Sequence, residues 1–225
     1  MKMSKNLFFQ AIAKFLLGVV LIGLLIFWPA GTFHYPNGWL FMAILFVPMF
    51  VAGLVMMAKN PALLRSRLDA KEKQKEQDTV VKLSGLMFLV GFIVAGLNFR
   101  FDWYVLPWGV SLGAAAAFLV AYLLYAEVLR ENTWLSRTIE VQENQTVVDT
   151  GLYGIVRHPM YSVTLLLFLS MPLVLGSIQS FVIFLAYPLI IAQRIRHEEQ
   201  FLEQELPGYR EYKQKVKYRL IPFLW

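Results

Sequence analysis

The amino-acid sequence predicts an all-α fold: a polytopic membrane helical bundle of about six membrane segments, the last two a C-terminal helical hairpin, with a cytoplasmic C-terminal helix behind them. Three observations carry that prediction. Apolar runs long enough for a bilayer alternate with short charged stretches. Of 225 residues, 58% are hydrophobic and only 16% charged, where a soluble domain carries about a quarter charged. Lys and Arg cluster in alternate connections, the pattern of a chain that crosses an even number of times.

The first apolar segment runs from about Leu7 to Trp28, with Lys14 placed to snorkel to the interface. Lys2 and Lys5 precede it in the manner of a secretory signal, but Trp28-Pro29 stands where a cleavage site needs small residues, so an uncleaved anchor helix is expected. Pro29-Ala-Gly-Thr and Pro36-Asn-Gly punctuate a short connection. A second segment covers Trp39 to Met57, and the charged stretch 59–82 follows, with Ala62 to Gln77 suited to an interfacial helix. The third and fourth segments are Val80 to Phe99 and Val105 to Ala126. In the fourth, Gly109, Gly113 and Ala114 to Ala117 suit close helix packing. Glu127 to Thr150 is polar.

The apolar block from Met160 to Ala192 is too long for one straight span of about 20 residues. Pro172 and Gly176-Ser177 fall at its centre, so a tight hairpin is expected, Pro159 to Leu173 in one direction and Ile178 to Arg194 in the other. The alternative is one long kinked helix. Each hairpin arm is short, which calls for tilting or local thinning of the bilayer. Arg194 to Tyr218 is charged and periodic, with Phe201, Leu202 and Leu206 on one side and a break at Pro207-Gly208.

Six spans place the N-terminus, 59–82, Glu127 to His158 and the tail on the cytoplasmic side, and leave Arg100 as the single basic residue of the outer connections. This bias also accounts for the net charge of +6, so no nucleic-acid partner is expected. The absence of cysteine excludes disulfides, cysteine-ligated zinc, thiol nucleophiles and palmitoylation. His34, His158 and His197 are too scattered for a metal-ligand spacing, and no metal is assigned. No Walker, GxGxxG or GxSxG motif is present.

Two polar clusters stand out: Gly151-Leu-Tyr-Gly-Ile-Val-Arg-His-Pro-Met-Tyr161 and Arg194-Ile-Arg-His-Glu-Glu199. A hairpin with arms of similar length makes them neighbours at one membrane face. Pro159 suits a first helical turn and holds His158 extended, leaving a helix mouth with Arg157 beside it that favours a carboxylate. Tyr153 and Tyr161 offer flat faces with hydroxyl tips. Arg194 and Glu198 are four apart and share a helix face. The plainer alternative makes the first cluster interfacial anchors and the second a solvated ion-pair ladder. Against it stands the position of Arg194 at the end of an apolar arm, where a charge needs a partner.

The 151–161 cluster, an apolar hairpin, then Arg194-xxx-Glu198-Glu199-xx-Leu202 and Gly208-Tyr209-xx-Tyr212 resemble the isoprenylcysteine carboxyl methyltransferase family. Phospholipid N-methyltransferases are similar. The resemblance covers roughly the last 80 residues, and Ser162 departs from it where a glycine often follows the tyrosine. It implies a membrane-embedded carboxyl methyltransferase using S-adenosylmethionine. It assigns Tyr153, Arg157, His158, Pro159, Met160, Tyr161, Glu198 and Glu199 to the cofactor, with Gln145, Val147 and Val148 along the adenosine. Arg194 then faces the acceptor carboxylate and Glu198 is the acidic cofactor contact. The organisation implied is 1–126 as membrane helices and 127–225, with hairpin 159–194, as the catalytic region at the cytoplasmic face. The partners implied are a lipophilic small-molecule or lipid-modified substrate and membrane lipids. Competing readings are amine N-methylation of a phospholipid, an NADPH-dependent reductase of the sterol type, and a non-enzymatic membrane scaffold.

Overall fold

The structure is a computed structural model that describes residues 5–59, 61–68, 75–135 and 141–225. Among the described residues it is helical, in the order α1 (Lys5–Ala30), α2 (Pro36–Lys59), α3 (Pro61–Leu68), α4 (Lys75–Phe101), α5 (Trp108–Glu131), α6 (Pro159–Val174), α7 (Ile178–Phe184), α8 (Ala186–Glu205) and α9 (Tyr209–Lys215). Five stretches are long and apolar enough to cross a membrane: Leu7–Ala30, Pro36–Lys59, Thr79–Phe101, Trp108–Glu131 and Ile178–Glu205, with Pro159–Val174 a shorter sixth. The protein is therefore an integral membrane helical bundle, and its outward faces carry exposed Leu, Val and Phe side chains such as Leu17, Val47 and Leu123.

Helix ends follow local chemistry. Pro36 and Pro61 open their helices, where a missing N–H costs nothing. Lys14 does not simply reach for solvent: its Nζ donates to the Leu68 carbonyl at 2.6 Å and so caps α3. The spanning helix expected from Val80 begins already at Lys75, and the one expected from Val105 begins at Trp108, because Pro107 sits at its N-cap. Of the interfacial helix expected over 62–77, residues 61–68 are helical. Residues 69–74, Lys2 and part of the 127–150 stretch (136–140) lie outside the described residues.

The hairpin is the element that builds the site. Its first arm is α6. The return arm is divided at Leu185, because Pro188 cannot donate to the Phe184 carbonyl one turn earlier. The arms are held together by Phe168 against Tyr187 (4.7 Å, edge to face) and by a Thr164–Tyr187 hydroxyl pair at 2.9 Å. Phe88 of α4 packs edge-on against Phe168 and Phe184. A Cβ on Gly91 would strike the Phe184 ring, so glycine there permits α4 to approach α7. Gly109 and Gly113 do not serve the packing expected of them: a Cβ at either meets nothing within 4 Å. Ser111, Ala114, Ala115 and Ala121 are the small residues buried on α5.

With 16 residues, α6 rises about 24 Å, short of a hydrocarbon core of about 30 Å. Four consecutive carbonyls at the end of α6 receive protein donors: Leu173 from Ser111 Oγ, Val174 from Asn37 Nδ2, Leu175 from the Tyr35 hydroxyl and Gly176 from the Leu106 N–H. Leu175 and Ser177 are buried beneath the connections that follow α1 and α4. An unpaired carbonyl in lipid costs several kcal/mol, so these donors make a short, turning segment tolerable inside the bundle.

Candidate active site

The 151–161 cluster begins on a constrained turn. Gly151 adopts φ +50°, and a Cβ there would overlap the Glu131 carboxylate at the end of α5. That carboxylate accepts the Leu152 N–H at 2.8 Å, so the turn is tied to α5 by the group that crowds it. Tyr153 is buried, and its carbonyl accepts the Tyr212 hydroxyl at 2.7 Å. His158 is the N-cap of α6 with Pro159 in the first turn; its φ of −126° and ψ of 61° keep it out of the helical region before Pro159, but short of the extended backbone expected.

The two polar clusters meet. The Tyr161 hydroxyl donates to Glu198 Oε2 at 2.5 Å and accepts from Arg194 Nε at 2.8 Å. Arg157 Nε donates to Glu199 Oε1 at 2.7 Å, and His158 Nε2 lies 3.2 Å from the same oxygen. The helix mouth expected to attract a carboxylate thus already faces one, the chain's own Glu199. Its second oxygen accepts from Arg219 Nε at 3.0 Å and lies 3.8 Å from Lys213 Nζ. A carboxylate this buried is stable only with such partners.

A cleft opens beside these groups, about 820 Å³ of empty space including the open solvent at its mouth. Of the residues nominated from sequence, Gln145, Val147, Val148, Tyr153, Arg157, His158, Met160, Tyr161, Arg194 and Glu198 line it. Pro159 and Glu199 stand behind the wall, one fixing the start of α6 and the other pairing Arg157 and His158. Its polar side is Tyr161, Arg194, Glu198, Arg157 and His158. One apolar wall is Val147, Leu202, Leu206, Tyr209 and Tyr212; the other is Leu135, Val148, Tyr153 and Met160.

Thr146, within the 145–148 segment expected along the adenosine, also lines the cleft, as do Asn132, Trp134, Leu135, Leu202, Leu206, Tyr209 and Tyr212, which were given no role there. Four of them carried a signal: Leu202, Tyr209 and Tyr212 stand in the motif that carries the resemblance, and Leu202 and Leu206 continue a helical stripe. Arg194, Glu198, Leu202 and Leu206 recur every four residues, so one stripe of α8 turns from charged to apolar as it follows the cleft wall. Asn132 and Trp134 lie in a connection without periodicity and carried none.

The residues present fit S-adenosylmethionine. Two apolar walls with aromatic faces suit an adenosine, and the Glu198 carboxylate suits its hydroxyl or cationic groups. The Tyr209 hydroxyl is buried, belongs to a cleft-lining residue, and has no hydrogen-bond partner among the described residues, which is what a ligand-facing donor looks like without its ligand. Burial pushes the Tyr153 phenol up to about 12 and those of Tyr209 and Tyr212 further in the same direction, so all three stay protonated donors at neutral pH.

Residues 105–207, from the start of α5 to the end of α8, match the profile of the phospholipid methyltransferase family, which includes the isoprenylcysteine carboxyl methyltransferases. The chain is also similar to the cobalt-zinc-cadmium resistance protein CzcN of Cupriavidus metallidurans, 32% identical over 133 residues. That alignment covers 57% of this chain and 58% of the relative, so the chain spans less than two thirds of the relative's length.

Proposed function

We propose that this protein is a membrane-embedded S-adenosylmethionine-dependent methyltransferase that O-methylates the carboxylate of a lipophilic, isoprenylcysteine-like acceptor. The observation that carries this reading is the row Arg194–Tyr161–Glu198, hydrogen-bonded in sequence on the wall of one cleft. It sets a cation for an acceptor carboxylate beside an acid for the cofactor. The bound cofactor supplies a methyl group on a sulfonium, transferred by in-line displacement to a carboxylate oxygen.

This chain's residues then have three tasks. Arg194 holds the acceptor carboxylate, which is already deprotonated and needs no general base. Tyr161 keeps Arg194 and Glu198 at a set separation, so that donor and acceptor meet in line. The two apolar walls exclude water from the transfer. We assign this work to residues 127–225, carried on the membrane helices of 1–126. We place the site and both termini in the cytoplasm, on the strength of the Lys and Arg distribution.

The family profile favours a second reading, N-methylation of a phospholipid amine. A fixed cation at Arg194 suits a carboxylate better than an amine. The test is transfer of labelled methyl from S-adenosylmethionine by detergent-purified protein, to a farnesylcysteine acceptor and to phosphatidylethanolamine. Label in an alkali-labile ester supports O-methylation, and alkali-stable label in the phospholipid supports the second reading. Failure to bind S-adenosylhomocysteine, with tight binding of NADPH, would end both.

A further inference from the structure

Residues 216–225 lie beyond the segment that matches the family profile, and they run as irregular backbone across the turn that enters α6. Five consecutive carbonyls of this strap accept hydrogen bonds from that turn. Val216 and Lys217 each receive Arg157 Nη1 at 2.7 Å. Tyr218 receives the Arg157 N–H and Arg219 the His158 N–H, both at 2.9 Å. Leu220 receives the Ser162 hydroxyl at 2.6 Å, so the serine that departs from the family pattern anchors the strap.

The strap is itself braced. The Trp225 carbonyl accepts the N–H groups of Arg219 and Leu220 at 2.9 and 3.0 Å. The Arg219 guanidinium lies 5.1 Å over the Trp225 ring and donates from Nε to Glu199 Oε2 at 3.0 Å. The other oxygen of Glu199 meets Arg157 and His158. A line of contacts therefore runs from Trp225 through Arg219 and Glu199 to two side chains that line the cleft.

We propose that Arg219 is a positioning residue: by fixing Glu199 from the strap side, it sets the rotamers of Arg157 and His158 and with them the polar wall of the cofactor cleft. Arg219 does not itself line the cleft. Without Arg219, Glu199 Oε2 keeps only the longer Lys213 contact at 3.8 Å, which leaves the carboxylate freer to rotate toward Arg157 and His158. A site whose supporting contacts are loosened binds less well although every lining residue is still present.

The inference rests on the proposed cofactor site, and its test separates the two. Full-length protein in detergent is titrated calorimetrically with S-adenosylhomocysteine, as wild type and as R219A, R219Q, R219K and K217A. Wild-type binding establishes that the site takes the cofactor, and its absence counts against the proposed function rather than against the strap. Given that binding, R219A and R219Q weaken it about tenfold, the lower end of the loss on removing an orienting partner. R219K recovers part of that affinity. K217A, whose carbonyl is unchanged and whose side chain is exposed, binds like wild type. Melting temperatures measured alongside distinguish a positioning role, which lowers affinity in folded protein, from a merely structural one, which lowers only stability. Should R219A not fold, R219Q decides. Wild-type affinity in either folded variant, or failure of both to fold, overturns the proposal.

Discussion

Arg157 Nε lies 2.7 Å from Glu199 Oε1, with both side chains almost wholly out of contact with solvent. The pair joins the turn before α6 to α8, so it closes the base of the hairpin. Glu199→Gln removes the charge that balances Arg157 and Arg219. It is expected to destabilise the protein by about 3 kcal/mol or more, in the range for breaking a buried pair. Glu127→Gln, which breaks the exposed Glu127–Arg130 pair, is expected to change stability by less than about 1 kcal/mol. Unfolding in detergent compares the two, and equal effects would show that solvent reaches Glu199.

Arg194→Ala removes the cation assigned to the acceptor and leaves the Tyr161–Glu198 bond in place. Turnover is expected to fall at least a hundredfold, with S-adenosylhomocysteine affinity changed less than about threefold. Parallel losses of binding and turnover would contradict this division of roles.

Alkaline stability follows from the buried tyrosines. Burial raises the phenols of Tyr153, Tyr209 and Tyr212 above their ordinary value near 10, Tyr153 to about 12. The folded protein thus holds protons that the unfolded chain sheds. Stability is undiminished below about pH 10 and declines as pH rises through and beyond that value. Thermal unfolding measured against pH checks this. Tyr209→Phe, which removes a hydroxyl with no partner among the described residues, is expected to make the decline shallower. An unchanged slope would mean that Tyr209 titrates as if exposed.

Gly151→Ala places a methyl on a residue at φ +50° and against the Glu131 carboxylate. The strain is about 1–3 kcal/mol, and relief requires the 151–154 turn to leave α5. Lower thermal stability together with weaker S-adenosylhomocysteine binding is expected, because Tyr153 lies on that turn. Glu131→Ala in the same background removes the overlap, and failure to recover any stability would show that the backbone angle alone is responsible.

Asn37→Ala strips the Val174 carbonyl of its donor at the hairpin tip. The cost is about 1–3 kcal/mol for a buried acceptor left unpaired. Catalytic parameters per folded molecule should be unchanged, because the tip lies at the opposite end of α6 from the cleft. No shift in melting would mean that water reaches the tip.

Much of the bundle was legible in the residues. Apolar run length marked the spanning segments, Pro172 and Gly176-Ser177 marked the fold-back, and equal arms implied that Arg157 to Tyr161 meets Arg194 to Glu199. Composition did not mark where helices outrun the membrane, so α4 begins at Lys75 rather than Val80: a charged turn beyond the bilayer continues a helix as well as it ends one. The role of Glu199 was misplaced for a related reason. Spacing puts it beside Glu198 on α8, but only packing shows that one carboxylate borders the cleft while its neighbour turns inward to Arg157, His158 and Arg219.

The amino-acid sequence by itself determined the apolar helices, the fold-back after α6 and the pairing of the two polar clusters, because hydrophobic length and turn residues are properties of residue identity. Only the tertiary structure decided how the hairpin is held at each end: by Tyr35, Asn37, Leu106 and Ser111 at the tip, and by the carbonyls of 216–220 at the base. Those acceptors are backbone oxygens, which every residue carries alike, so nothing in the order of side chains distinguishes a carbonyl that binds a remote arginine from one that does not.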